Sequence, residues 1–145
     1  LYSYLQSHKK YLVHLPLIIY WIILFTLTSL PTGLAIETKD ISDKFLHFGA
    51  YGLLSVLLYL NLYFQDKIEV LNKFPATFTV LIASIYGLLD EIHQMFVPGR
   101  SAEFLDWLAD FSGSLMAVLI TGYLTRRLKE IEIEKNKLKA GTFKK

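Results

Sequence analysis

Four long apolar blocks constrain this chain more than any other feature. The first runs from Tyr11 to Leu30 and contains no Asp, Glu, Lys or Arg. A helix of ~20 apolar residues crosses the hydrocarbon core of a bilayer, so this block is long enough to span one. Lys9 and Lys10 precede it, and Pro31-Thr32-Gly33 ends it. A secretory signal is the rival reading, since a basic start and a Gly33-Leu34-Ala35 site are present. The apolar part of a signal is shorter, roughly 7–15 residues, so the run predicts a retained span. Further blocks follow at about 43–64, 74–97 and 102–124. Of the 145 residues, 53% are hydrophobic, against about 45–50% in an ordinary soluble domain. The expected fold class is an all-α membrane protein, with four transmembrane helices in a bundle. One membrane domain is expected over 1–145, ending in a charged tail over 125–145.

The connections are short. Residues 32–42 form a polar loop, with Ser42 placed to cap the second helix. Residues 65–73 make the next connection. Val97-Pro98-Gly99-Arg100 has the composition of a tight turn, with Pro presetting one φ and Gly supplying a positive one. The fourth helix is expected to continue into the tail and fray toward Lys145. The tail reads equally as a basic segment against anionic lipid or as a solvated helix with i,i+4 ion pairs. Basic residues favour the cytoplasmic side of a membrane. With both termini cytoplasmic, twelve Lys and Arg lie inside and three (Lys39, Lys44 and Arg100) lie outside. This orientation is therefore expected.

Three segments then bring ionisable groups to one membrane level on the outer side. Such groups are costly at membrane depth and mark functional sites. Asp43, His47 and Tyr51 share a face of the second helix, with Lys44 beside them. Asp90 and Gln94 share a stripe of the third helix with Ala83 and Gly87, and Glu91 and His93 adjoin it. Asp106 and Asp110 share a face of the fourth with Gly113 and Ala117. Asp43 and Asp106 lie in first turns, where the helix dipole favours an anion, and Ser101 has the spacing of an N-cap. Asp90 and Glu91 lie at a helix C-terminus, where the dipole disfavours anions, so they need a partner. Arg100, Lys44, His47, a bound cation or a proton would serve. Asp110 is two turns into its helix and has no capping role either.

Three chemistries fit. A hard divalent cation suits Asp90, Glu91, His47 and Asp110, although the spacing is no known metal signature. Carboxylates in unlike environments suit acid–base work. A saturated ionic core would only hold helices in register. With no cysteine, thiolate chemistry and zinc–thiolate sites are excluded. G-x-S-x-G, H-E-x-x-H and phosphate-cradling glycine motifs are absent, and nothing points to nucleic acid.

Three segments carry a resemblance. Asp43-Lys44-Phe45-Leu46-His47-Phe48-Gly49-Ala50-Tyr51-Gly52-Leu53-Leu54 is the first. Asp90-Glu91-Ile92-His93-Gln94-Met95-Phe96-Val97-Pro98-Gly99-Arg100-Ser101 is the second, and Asp106-Trp107-Leu108-Ala109-Asp110-Phe111-Ser112-Gly113-Ser114 the third. In order, spacing and the Pro-Gly-Arg turn they resemble the VanZ-like family. The resemblance implies a small multi-pass protein of the bacterial cytoplasmic (inner) membrane. The family's namesake is linked to low-level resistance to teicoplanin, a glycopeptide that acts on lipid-linked cell-wall precursors outside the membrane.

The expected function is therefore binding or modification of an anionic envelope lipid or lipid-linked cell-wall precursor at the outer leaflet. Asp90, Glu91 and Asp110 are the acid–base or cation-ligand candidates, and His47 the proton shuttle. Arg100 would hold the headgroup, with Lys44, Tyr51, Gln94, Asp43, Asp106 and Ser101 around it. The alternatives are a non-catalytic protein with a structural ionic cluster, and a transporter-like proton or ion site.

Overall fold

The computed structural model describes residues 2–31 and 40–142, with side chains over 2–31 and 43–139. All its regular structure is helical: α1 (Tyr2–Ser7), a π turn (Lys10–His14), α2 (Leu15–Thr28), α3 (Asp40–Phe64), α4 (Glu69–Lys73), α5 (Pro75–Gln94) and α6 (Phe104–Thr142). Among the described residues, four segments are long and apolar enough to cross a membrane: Lys10–Thr28, Asp43–Phe64, Pro75–Gln94 and Phe104–Lys139. The short helix α4 lies within the connection at 65–73, and α1 precedes the first span.

Local chemistry explains several boundaries. Pro16 has no N–H to offer the carbonyl of Leu12, and the helix widens into its π turn there. Pro75 stands at the start of α5, where a missing N–H costs nothing. The turn after α5 is as expected: Arg100 N–H donates to the Val97 carbonyl at 3.1 Å, and Gly99 has φ of 79°. At 1.5 Å per residue α6 is about 58 Å long, and its charged half runs on beyond the apolar part.

Two cap assignments need correction. α3 is already helical at Asp40, so Ser42 lies in its first turn rather than at its N-cap; the Ser42 side chain lies outside the described residues. α6 starts at Phe104, three residues after the exposed Ser101. The first helical bonds of α6 run from Asp106 and Trp107 N–H to the Glu103 carbonyl, so Glu103 is the N-cap residue and Ser101 is not.

α3 is the central helix and touches α2, α5 and α6. Its closest neighbour is α6. A Cβ on Gly113 would stand 2.1 Å from the Phe48 carbonyl oxygen, so only glycine allows these backbones to approach. The interior holds Tyr51, Leu54, Leu58 and Leu62 of α3 with Leu17 and Leu24 of α2. It also holds Ser55, Thr79, Ser114, Thr121 and Thr125. The outside carries Ile18, Ile22, Leu81, Ile85, Leu88, Leu119 and Ile120, all well exposed. Apolar outside and partly polar inside reverses the pattern of a protein in water and suits helices surrounded by lipid.

Candidate functional site

The site lies at the end of the bundle where α3 begins, α5 ends and α6 begins. Its groups form two layers. In the outer layer the Lys44 ammonium lies 2.5 Å from Asp106 Oδ1 and 2.6 Å from Glu103 Oε2. Lys44 thereby neutralises the buried Asp106 and ties the first turn of α3 to the start of α6. Asp43 stands near His47 and Asp106.

The inner layer contains His47, Tyr51, Asp90, Glu91, Gln94 and Asp110. Asp110 is completely buried, and its Oδ1 lies 3.0 Å from His47 Nδ1. Glu91 Oε2 accepts the backbone N–H of Glu103 at 2.7 Å. This bond joins the last turn of α5 to the first of α6, and it explains why α6 needs no local Ser or Asp cap: a carboxylate from the preceding helix satisfies an orphan N–H. Gln94 donates to Asp90 Oδ2 at 3.3 Å, and Arg100 Nη1 donates to Gln94 Oε1 at 3.1 Å.

Arg100 therefore reaches Asp90 only through Gln94. Arg100 is one of the partners expected for the acidic cluster, yet among the described residues it forms no ion pair. Arg100 also lines a cleft. His93 turns away from the site, with its ring stacked on Phe25 at 5.3 Å and its Nε2 3.1 Å from Ser29 Oγ.

Partnering is incomplete in the inner layer. Asp110 Oδ2 and Glu91 Oε1 are buried without a hydrogen-bond partner among the described residues, while the Tyr51 hydroxyl faces Asp90. Buried polar atoms are almost always satisfied, so these two oxygens have capacity left for a further partner. Gly87 makes room for one of them: a Cβ there would lie 2.9 Å from Asp110 Oδ2 and 3.3 Å from the Tyr51 ring. One donor atom each from His47, Glu91 and Asp110 lies within 4.8 Å of the others, and the same holds for Asp43, His47 and Asp106. Asp90 belongs to neither group, so of the four metal-ligand candidates three converge.

A cleft of about 220 Å³ opens beside this layer. One wall is apolar, from Leu24, Leu27 and Leu30 near the end of α2 and Leu46 of α3. Asp43, His47, Tyr51 and Arg100 supply the polar wall. The part played by α2 was not expected, because its block has no charged residue to draw attention. Glu103 is a further site residue that sequence alone does not single out: its carboxylate, in an exposed turn, pairs with Lys44 of α3, and its backbone N–H with Glu91 of α5. Trp107, which donates its indole N–H to the Ser84 carbonyl at 3.1 Å, braces α6 against α5.

No curated protein and no solved structure matches the chain. A family model described as VanZ/LLP1 matches residues 4–125, which takes in every residue of the site and the apolar part of each membrane-length helix. The chain is a multi-pass membrane protein and belongs to the VanZ/LLP1 family.

Proposed function

We propose that this protein binds the anionic headgroup of an envelope lipid or lipid-linked cell-wall precursor and acts on it with its buried carboxylates. The cleft is the observation that carries this reading. Its leucine wall suits an acyl or polyprenyl chain, while Arg100, His47 and Tyr51 face the same space. Most of the lining of a small-molecule site is apolar, with a few placed polar groups for orientation. Arg100 has donors to spare after its bond to Gln94, and a guanidinium fork matches phosphate or carboxylate oxygens. In this reading Asp90, Glu91 and Asp110 do the acid–base work, His47 carries the proton, and Lys44, Asp43, Asp106, Gln94 and Ser101 complete the surroundings.

Both termini are cytoplasmic in this reading, so the cleft faces the outer leaflet of the bacterial cytoplasmic membrane. That side holds the lipid-linked precursors on which glycopeptides act, and reduced teicoplanin susceptibility is the expected phenotype. The chain works as one membrane domain with its charged tail inside. Expression in a susceptible bacterium tests this. Wild type should lower teicoplanin susceptibility, and Asp90→Asn should abolish the effect while inserting at normal levels. An Asp90→Asn protein that is inserted and fully active would rule out acid–base work by Asp90.

One observation favours a second, structural reading for part of the cluster. Lys44, Asp106 and Glu103 already satisfy one another, so the outer layer serves as a clamp between α3 and α6 and not as a reactive group.

A further inference from the structure

We propose that His47, Glu91 and Asp110 bind one divalent metal ion, of the Mn²⁺ or Zn²⁺ kind. This deepens the reading above by giving the same site its cofactor. Three independent features converge on it.

The donor atoms are close enough. One atom from each residue lies within 4.8 Å of the others, and His47 Nδ1 stands 3.0 Å from Asp110 Oδ1. Ligand atoms about 2.1 Å from a tetrahedral ion lie about 3.4 Å apart. An ion would draw the set to that spacing and replace the His47–Asp110 hydrogen bond.

The donors also have unused capacity. Asp110 Oδ2 and Glu91 Oε1 are buried and unpartnered, in side chains 0% and 4% exposed as residues. A lone pair of each is therefore committed to nothing in the protein. Supporting contacts hold the set in place. The other Glu91 oxygen is fixed by the Glu103 N–H, and Asp110 Oδ2 packs closely against Gly87, where a Cβ would stand 2.9 Å from it. Such outer contacts orient ligands in metal sites.

Charge and ligand type agree. With His47 neutral, Glu91 and Asp110 supply two negative charges, which one divalent ion cancels. Among the described residues Asp110 has only His47, and Glu91 only the Glu103 N–H, as partners, and buried carboxylates need full compensation. An imidazole with carboxylates and no sulfur suits Zn²⁺ or Mn²⁺ better than Cu⁺ or an all-oxygen calcium site. His47, Glu91 and Asp110 are then ligands in place of the proton-handling roles given them above, and Asp90, outside the donor set, keeps the acid–base role. The ion lies beside the cleft where Arg100 faces a headgroup, and it would offer that headgroup a second cationic contact.

The test uses detergent-purified protein stripped with a chelator, titrated with Mn²⁺ and separately with Zn²⁺, and analysed for bound metal and thermal unfolding. At least one of the two should bind at one equivalent per chain and raise Tm. Glu91→Gln keeps an oxygen for the Glu103 N–H but loses the anionic donor. It should fold and bind metal more than about tenfold more weakly, since even outer contacts are worth 10–100-fold. Asp110→Asn should behave alike. Asp66→Asn, whose partner is Lys9 near the other end of the bundle, should bind like wild type. No saturable binding of either ion, or equal binding in Glu91→Gln, would overturn the proposal. Binding lost in Asp43→Asn but kept in Glu91→Gln would also overturn it, in favour of the Asp43–His47–Asp106 grouping. Headgroup binding by a protein that binds neither ion would overturn the ion and leave the headgroup reading standing.

Discussion

Glu91 Oε2 takes the backbone N–H of Glu103 at 2.7 Å, so a carboxylate at the C-terminal end of one membrane helix caps the N-terminus of the next. The bond accounts for a puzzling placement. An anion at a helix C-terminus opposes that helix's own dipole, but Glu91 also faces the favourable N-terminal end of α6.

Replacing Glu91 with Leu should therefore destabilise the protein, whereas Gln should be tolerated. Loss of a capping acceptor costs about 0.5–2 kcal/mol, and thermal unfolding in detergent reads the difference between the two variants. Equal Tm values for Leu and Gln would show that the Glu103 contact contributes nothing.

Lys44 and Asp106 should be energetically coupled. Lys44→Met leaves the 4%-exposed Asp106 without its ammonium partner, and Asp106→Asn removes the charge that needed it. The double variant should be more stable than the sum of the singles predicts, by about 0.5–3 kcal/mol, the usual range for directly contacting groups. A double-mutant cycle followed by thermal unfolding measures it, and additivity would mean that the outer ionic layer is decorative.

Gly113→Ala should be far worse than Gly49→Ala. A methyl at Gly113 would stand 2.1 Å from the Phe48 carbonyl oxygen, while one at Gly49 meets nothing within 4 Å. Overpacking costs about 1–3 kcal/mol or more, and here the obstacle is backbone. Gly49→Ala should be neutral or stabilising by up to about 1 kcal/mol, because alanine is the better helix former. Yields of folded protein on size-exclusion chromatography, with Tm, separate the two.

Accessibility labelling tests the orientation. The chain has no cysteine, so single-cysteine variants report cleanly. Ala102→Cys, in the exposed turn, should react with an impermeant maleimide in intact cells, and Lys139→Cys should react only after lysis. The reverse pattern would put the cleft on the cytoplasmic side.

The fold was legible because bilayer length and apolar composition leave little choice, and Pro98-Gly99 specifies its turn from local geometry alone. Asp90, Glu91 and Asp110 stood out because no local rule excuses an acid in those places. What stayed hidden depended on partners distant in sequence. Ser101 has the right side chain for a cap, yet Glu91 supplies the acceptor from another helix and α6 begins later. Arg100 is the nearest cation to the acids in sequence, but its side chain meets Gln94 while Lys44, 62 residues before Asp106, takes the carboxylate. The leucines of α2 look like any lipid-facing residues until the cleft beside His47 shows their other side.

The central claim is that Arg100 and the cleft beside it hold an anionic lipid headgroup. Its most direct test is binding of a polyprenyl phosphate to the purified protein, followed by native mass spectrometry in a lipid-free detergent. Wild type should bind one molecule per chain. Arg100→Gln should weaken binding by about tenfold or more, since a hydrogen bond to a charged group contributes about 1.5–3 kcal/mol. Arg127→Gln, in the exposed tail, should bind as wild type does. Equal binding by Arg100→Gln and wild type would contradict the account.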